Sequence, residues 1–231
     1  MEFSLICLTI LSISAIHTIS GPDHYLPFIV LSRSRKWSLS KTLLWTSLCG
    51  FAHVLSSALI GTLAIFFGWT ISKVFHIDAI RGDFAASLLL LFGIGYIIYA
   101  LIKLRKNKLH KHFNVTEEGD IYVYEHRDGQ SVLPSDNYKV TPLAMFFIFA
   151  LGPSEPLIPL IIYPSVNYSI SEIAILICLY TLSTVFIMLA IVLLGYFGSR
   201  TLNFKGFEKY IDLFSGVSIT ICGIGMVFLE W

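Results

Sequence analysis

Three histidines and one aspartate stand in stretches where lipid-facing side chains are expected. His17 lies near the end of the first apolar run, and Asp23 and His24 directly follow Gly21-Pro22. His53 lies mid-way along the second run, with Cys49 one turn before it and Ser56 and Ser57 about a turn after. Imidazole nitrogen combined with carboxylate or carbonyl oxygen is the donor set of borderline divalent ions such as nickel, cobalt and zinc. A charged side chain at the bilayer centre costs about 2.5–3.5 kcal/mol on insertion scales, so residues of this kind at membrane depth mark a binding site or a proton path. Histidine also suits coupling, because its charge changes near neutral pH.

Backbone geometry decides whether these groups can meet. In an unbroken helix His17 and His24 lie about 10.5 Å apart along the axis, and both rings barely reach one ion. Proline removes a backbone donor and clashes with the preceding turn. The helix is therefore expected to open at Gly21-Pro22, freeing the Ser20 and Gly21 carbonyls as further ligands and letting the two imidazoles converge.

A second break, Gly152-Pro153-Ser154-Glu155, lies 131 positions after the first. At that constant offset GPDHYLPFI (21–29) overlies GPSEPLIPL (152–160), and Trp37-Ser38-Leu39-Ser40-Lys41 overlies Tyr168-Ser169-Ile170-Ser171-Glu172 without a gap. In each copy a serine, Ser38 or Ser40 and Ser169 or Ser171, is positioned to N-cap the next helix. A gapless match through a polar loop indicates internal duplication. Broken membrane helices at corresponding positions of two halves point to a transporter's binding site. The halves are not equivalent: Glu155 stands for His24, Ser154 for Asp23, Thr184 for His53 and Ile148 for His17. One main site is expected, with His17, Asp23, His24 and His53 as ligands and Glu155 completing it or carrying a proton.

Plainer readings exist for each residue. An acidic side chain in the first turn of a half-helix, such as Asp23 or Glu155, is ordinary capping and dipole chemistry. His53 alone can be a core histidine bonded to a serine. Two inward half-helix N-termini also suit an anionic substrate, against which the two carboxylates argue.

The elements that must position these residues are membrane helices. The chain has 231 residues, 55% hydrophobic and 13% charged, with mean hydropathy +0.76, whereas a soluble domain carries about 25% charged residues. Six apolar runs, about 3–20, 42–69, 84–102, 142–162, 171–197 and 209–229, are long enough to cross a hydrocarbon core of about 30 Å. The first is expected to be a retained helix rather than a signal peptide, since it lacks a basic n-region and a cleavage site. Cys7, Cys49, Cys178 and Cys222 lie scattered in apolar runs and read as small hydrophobes.

The net charge of +1 conceals an asymmetry. With both termini outside, fourteen Lys and Arg residues fall in inside loops and two, Lys73 and Arg81, outside. The positive-inside bias gives an N-out/C-out protein, and a bacterial cytoplasmic (inner) membrane is the expected location. Residues 1–102 form a first three-helix repeat, 103–141 a cytosolic loop and 142–231 a second repeat. Three helices per unit is odd, so the units must be inverted with respect to each other. The fold class is thus all-α: a polytopic membrane protein with helices one and four broken. In the loop, the run from Lys103 to Lys111 reads as an anchor near anionic headgroups. Alternating residues on either side of Glu117-Glu118-Gly119 suggest a small hairpin, with His110, His112 and His126 nearby.

There is no GxSxG, phosphate loop or HExxH, so an enzyme is not expected, nor is a nucleic-acid partner.

The stretch His17 to Asp23-His24, followed by a helix carrying His53, resembles the nickel/cobalt transporter family, whose signature is H-x4-D-H in a metal-binding membrane helix. The spacing here is one residue longer. The six-helix duplicated plan with Gly152-Pro153-Ser154-Glu155-Pro156-Leu157-Ile158-Pro159 also resembles CcdA/DsbD-type electron carriers and the UreH-like urease-accessory membrane domains, within a superfamily that includes exporters of the LysE and TauE kind. In CcdA-type proteins a Pro-Cys pair supplies the redox thiol. Ser154 and Asp23 stand in those places here, which argues against thiol–disulfide electron transfer. The resemblance implies transport of a divalent transition-metal ion, nickel or cobalt first, as substrate rather than resident cofactor. The alternatives are an exporter of a small anion or sulfur compound, and a membrane assembly factor for a metalloprotein, docking a cytosolic partner or a second copy on residues 103–141.

Overall fold

Each helix begins and ends where the sequence supplies its punctuation. The computed structural model describes residues 3–106, 109–115, 121–127, 140–153, 156–201 and 208–228. Helix α1 (Phe3–Ser20) stops at Gly21, a one-turn 3-10 segment covers Pro22–His24, and α2 (Leu26–Ser34) continues the path. Ser38 caps α3 (Leu39–Phe67), accepting from the Lys41 amide at 3.3 Å. The helix ends at Gly68, whose φ of +60° is the left-handed geometry a glycine supplies without a Cβ penalty. Helix α4 (Ile71–Lys106) follows. After the loop region come α5 (Val140–Leu151), α6 (Leu157–Ser165), α7 (Ile170–Thr201) and α8 (Ile211–Phe228). Ser169 and Glu172 form a reciprocal cap at the start of α7, with the Ser169 amide donating to Glu172 Oε2 at 2.8 Å and the Glu172 amide to Ser169 Oγ at 3.4 Å. Of the serines weighed as caps, Ser38 and Ser169 serve.

Among the described residues five helices are long and apolar enough to cross a membrane: α1, α3, α4, α7 and α8. Their outward faces carry Leu8, Leu59, Leu91, Phe186 and Leu194, all exposed. An apolar surface of this kind is unfavourable in water and stable against lipid, where helices satisfy their own backbone groups. The chain is an integral membrane protein. The fourth expected run, 142–162, is no single long helix. It is divided by the second break into α5, of 12 residues, and α6, of 9. The stretch 71–83, expected to be a loop, forms the first turns of α4.

Element boundaries repeat at the 131-residue offset. Ser20 and Leu151 end helices, Leu26 and Leu157 begin them, Ser34 and Ser165 end them, and Leu39 and Ile170 begin the next. Contacts fix the directions. Along α7, the ring of Phe3 lies 5.6 Å from Tyr168, Ser14 bonds Ser183 at 2.7 Å, and Ile29 packs on Gly195, so the α1–α2 path runs parallel to α7. His53 meets Gly152 and Gly61 meets Ile161, so α5–α6 runs parallel to α3. Helices α3 and α7 are antiparallel: Gly50 faces Met188, and the Tyr196 hydroxyl donates to the Trp37 carbonyl at 3.2 Å. The two broken paths therefore run in opposite directions.

Helices α4 and α8 pack antiparallel with backbones in contact, Gly93 on Thr220, Gly216 on Ile97 and Gly223 on Leu90. Small residues permit this approach, the usual source of association where lipid is the solvent. A Cβ on Gly223 would lie 2.7 Å from the Leu90 Cα, whereas one on Gly95 meets nothing within 4 Å. Gly223→Val is expected to destabilise by about 3 kcal/mol or more. Gly95→Ala is expected to be neutral or stabilising by up to about 1 kcal/mol. Unfolding midpoints in detergent measure both.

Strands β1 (Leu109–Val115) and β2 (Ile121–Arg127) pair antiparallel, with Phe113 opposite Val123. The side chains of His110, His112 and His126 lie outside the described residues.

Candidate functional site: a buried imidazole cluster

Gly21-Pro22 opens the α1 path as its residue types dictate. The Gly21 amide still closes on the His17 carbonyl at 3.1 Å, after which Pro22 offers no amide and the chain turns in a 3-10 segment. This turn brings the ring of His24 to 4.8 Å from that of His17 and 5.0 Å from that of His53, centroid to centroid. One ring nitrogen from each of the three histidines lies within 4.8 Å of the other two. The Gly21 carbonyl is not free, as its place at the break suggested. It accepts from the His24 amide and from His24 Nδ1, both at 3.1 Å.

The hydrogen bonds set the ring tautomers. A carbonyl only accepts, so His24 Nδ1 carries the proton, shared between Gly21 O and Asp23 Oδ1 at 3.2 Å. His24 Nε2 then presents its lone pair. His53 hydrogen-bonds the Phe149 carbonyl at the end of α5, and its Nε2 is buried without a partner. The same holds for His17 Nε2 and His24 Nε2 among the described residues. Buried polar atoms are nearly always satisfied, and a missing bond costs about 1–3 kcal/mol each. Three adjacent imidazoles, each with an orphaned nitrogen, are an arrangement that a bound cation completes. Ser56, weighed as a partner for the His53 ring, donates instead to the His53 backbone carbonyl at 2.8 Å.

The rings enclose a cavity of about 30 Å³, lined also by Asp23, Leu89, Ile148, Phe149, Gly152, Pro153 and Met226. That is the room of one water molecule or one ion. Asp23 lies 7% exposed, its carboxylate orienting the His24 ring. This is the outer-shell role carboxylates take behind metal-binding imidazoles, worth about 10–100-fold in affinity. Asp23→Asn keeps the shape and removes the charge, and calorimetric titration with nickel or cobalt is expected to show a loss in that range. Depth is fixed by α3. His53 is the middle residue of the helix Leu39–Phe67, about 21 Å from either end at 1.5 Å per residue.

Of the five residues expected at the site, His17, Asp23, His24 and His53 come together. Glu155 lies outside the described residues. Ile148, aligned with His17, lines the cavity as an apolar wall. Thr184, aligned with His53, is fully buried with its hydroxyl unpartnered among the described residues. Cys49 and Cys222 are buried in the core, while Cys7 is half-buried and Cys178 exposed on an apolar face.

Sequence reasoning missed Arg81, assigned to an outside loop. Its guanidinium binds Asp78 Oδ1 and Ser56 Oγ, each at 2.8 Å, and reaches the Gly152 and Ala150 carbonyls at 3.3 and 3.5 Å. It thereby satisfies acceptors freed at the second break. The signal was an Asp-x-x-Arg spacing, which puts both charges on one helix face. Arg81→Gln leaves the Asp78 carboxylate buried without its counter-ion and is expected to destabilise by about 3 kcal/mol. Adding Asp78→Asn should restore part of the unfolding midpoint.

No family model, curated protein or solved structure matches the chain in comparison with known proteins.

Proposed function

We propose that this protein carries a divalent transition-metal ion, nickel or cobalt first, across the membrane through the site at the two helix breaks. The observation that supports this most is the cluster of His17, His24 and His53, with three buried Nε2 atoms unpartnered and one ring nitrogen of each residue within 4.8 Å of the others. Imidazole is a ligand type these ions favour. Three nitrogens leave coordination positions open, as an ion that must arrive and depart requires. The resemblance of His17 to His24 to the nickel/cobalt transporter motif points the same way.

The surroundings support transport over a resident metal. The site lies at the middle of α3 and between two breaks whose helices run in opposite directions. On this reading, α1–α4 and α5–α8 are inverted repeats with six crossings, α1–α2 and α5–α6 each counting as one broken crossing, and alternating access is rocking of one repeat against the other. The protein sits N-out/C-out in a bacterial inner membrane, with the basic residues inside. Asp23 supplies one negative charge against the ion's two. Glu155, two residues after the lining residue Pro153, supplies the second. The anionic-substrate alternative has less support, since the lining contains a carboxylate and, among the described residues, no Lys or Arg.

The test is flux. Proteoliposomes containing the protein should exchange nickel or cobalt with the medium, and His24→Ala should reduce this to the level of empty vesicles. Equal flux in both proteins would sink the reading.

A further inference from the structure

At the end of the bundle where α2, α4 and α7 finish, a second and larger cavity opens, of about 660 Å³. It is far too large for a bare ion and within the range of small-molecule sites. Five cationic side chains line it, Arg33, Lys36, Lys103, Arg200 and Lys209, against the one carboxylate of Asp212. That carboxylate is already engaged: Lys103 Nζ donates to Oδ2 at 2.6 Å and Ser34 Oγ to Oδ1 at 2.5 Å. Among the described residues the lining thus holds five cationic side chains and one carboxylate.

The wall is built rather than incidental. Arg200 donates to the Trp37 carbonyl at 3.2 Å and stacks on Tyr196 at 4.1 Å, and the Tyr196 hydroxyl donates to the same carbonyl. These bonds pin the α2–α3 connection to α7. Within that connection Lys36 has φ +51°, the one non-glycine residue with positive φ among the described residues. A lysine in the left-handed region is strained, and such strain collects at binding sites. Strain and a predominantly cationic lining thus coincide at one cavity wall.

We infer that this cavity binds a phosphate-bearing anion, the headgroup of an anionic phospholipid or a soluble phosphate. Basic pockets between membrane helices bind phosphate-bearing headgroups, and a Lys or Arg near an anionic membrane surface contributes about 1 kcal/mol, which is roughly a five-fold change in affinity per residue. Leu101 and Ile102, directly before the lining residue Lys103 on α4, and Phe214, two residues after Asp212 on α8, are exposed apolar side chains, as acyl chains would require.

The test is the unfolding midpoint of the purified protein in neutral detergent, titrated separately with cardiolipin, phosphatidylglycerol, phosphatidylcholine and inorganic pyrophosphate. The two anionic lipids should raise the midpoint and phosphatidylcholine should not. Lys36→Gly should raise the ligand-free midpoint by relieving the strain, yet weaken the response roughly five-fold. Lys36→Gly with Lys209→Gln should weaken it roughly 25-fold, while Lys73→Gln leaves it unchanged. A response to pyrophosphate that weakens in the same variants supports the same site with a soluble ligand. Equal stabilisation by phosphatidylcholine, no response to any anion, or a response intact in both Lys36 variants would overturn the proposal. No readout involves the imidazole cluster, so its failure is separate from failure of the metal reading.

Discussion

Replacing His53 with leucine is expected to weaken nickel or cobalt binding by two orders of magnitude or more, with thermal stability in metal-free detergent changed by no more than about 1 kcal/mol. The two halves of this expectation have different origins. Binding falls because one of three nitrogen ligands is gone, and changing even an outer-shell partner typically costs 10–100-fold. Stability holds because the native ring is an awkward occupant. Its Nε2 is buried without a partner, a loss of about 1–3 kcal/mol that leucine does not incur. Leucine forfeits the bond to the Phe149 carbonyl, a cost of similar size and opposite sign. A histidine kept for packing would show the reverse, with stability falling and binding untouched. Calorimetric titration and a melting curve on one preparation separate the cases.

Gly21→Ala is expected to reduce binding about as severely, although it removes no ligand. A methyl group at Gly21 would lie 2.5 Å from His24 Nδ1 and 2.8 Å from Asp23 Oδ1. Both are parts of the hydrogen bond that aims the ring, so His24 must turn. The backbone itself accepts alanine, since Gly21 has φ −91° and ψ 96°, in the ordinary extended region. The loss therefore comes from the ring's displacement and not from backbone strain. Gly68→Ala is the contrasting change. Gly68 has φ +60° with nothing within 4 Å of a Cβ, so that variant should lose about 1 kcal/mol of stability and keep its metal affinity. A Gly21→Ala protein that binds as tightly as the original would show that ring orientation does not govern the site.

Much of this site was legible in the sequence because the relevant signals are local. Proline's missing amide placed the break, and the break's position let the rings of His17 and His24 converge. His53 could be singled out as an ionisable residue in the middle of an apolar run, but its approach to His24 depends on α3 crossing the break, a tertiary fact. The two Gly-Pro breaks and the caps at Ser38 and Ser169 were legible because Gly-Pro and capping serines act over a few residues. Two features were not legible. The start of α4 was hidden by Lys73, Asp78, Arg81 and Asp83, which read as a polar loop when tertiary partners for Asp78 and Arg81 are unseen. The Gly21 carbonyl looked available as a ligand, yet His24 folds back and takes it, a consequence of the 3-10 turn that spacing alone does not reveal.

The central claim is that His17, His24 and His53 hold one divalent ion. X-ray absorption spectroscopy of the protein loaded with one equivalent of nickel, cobalt or zinc tests it most directly. An imidazole scattering pattern from about three nitrogen ligands is expected, at about 2.0–2.1 Å for zinc, falling by one imidazole in His53→Leu. A first shell of oxygen alone, or an imidazole count unchanged by that substitution, would contradict it.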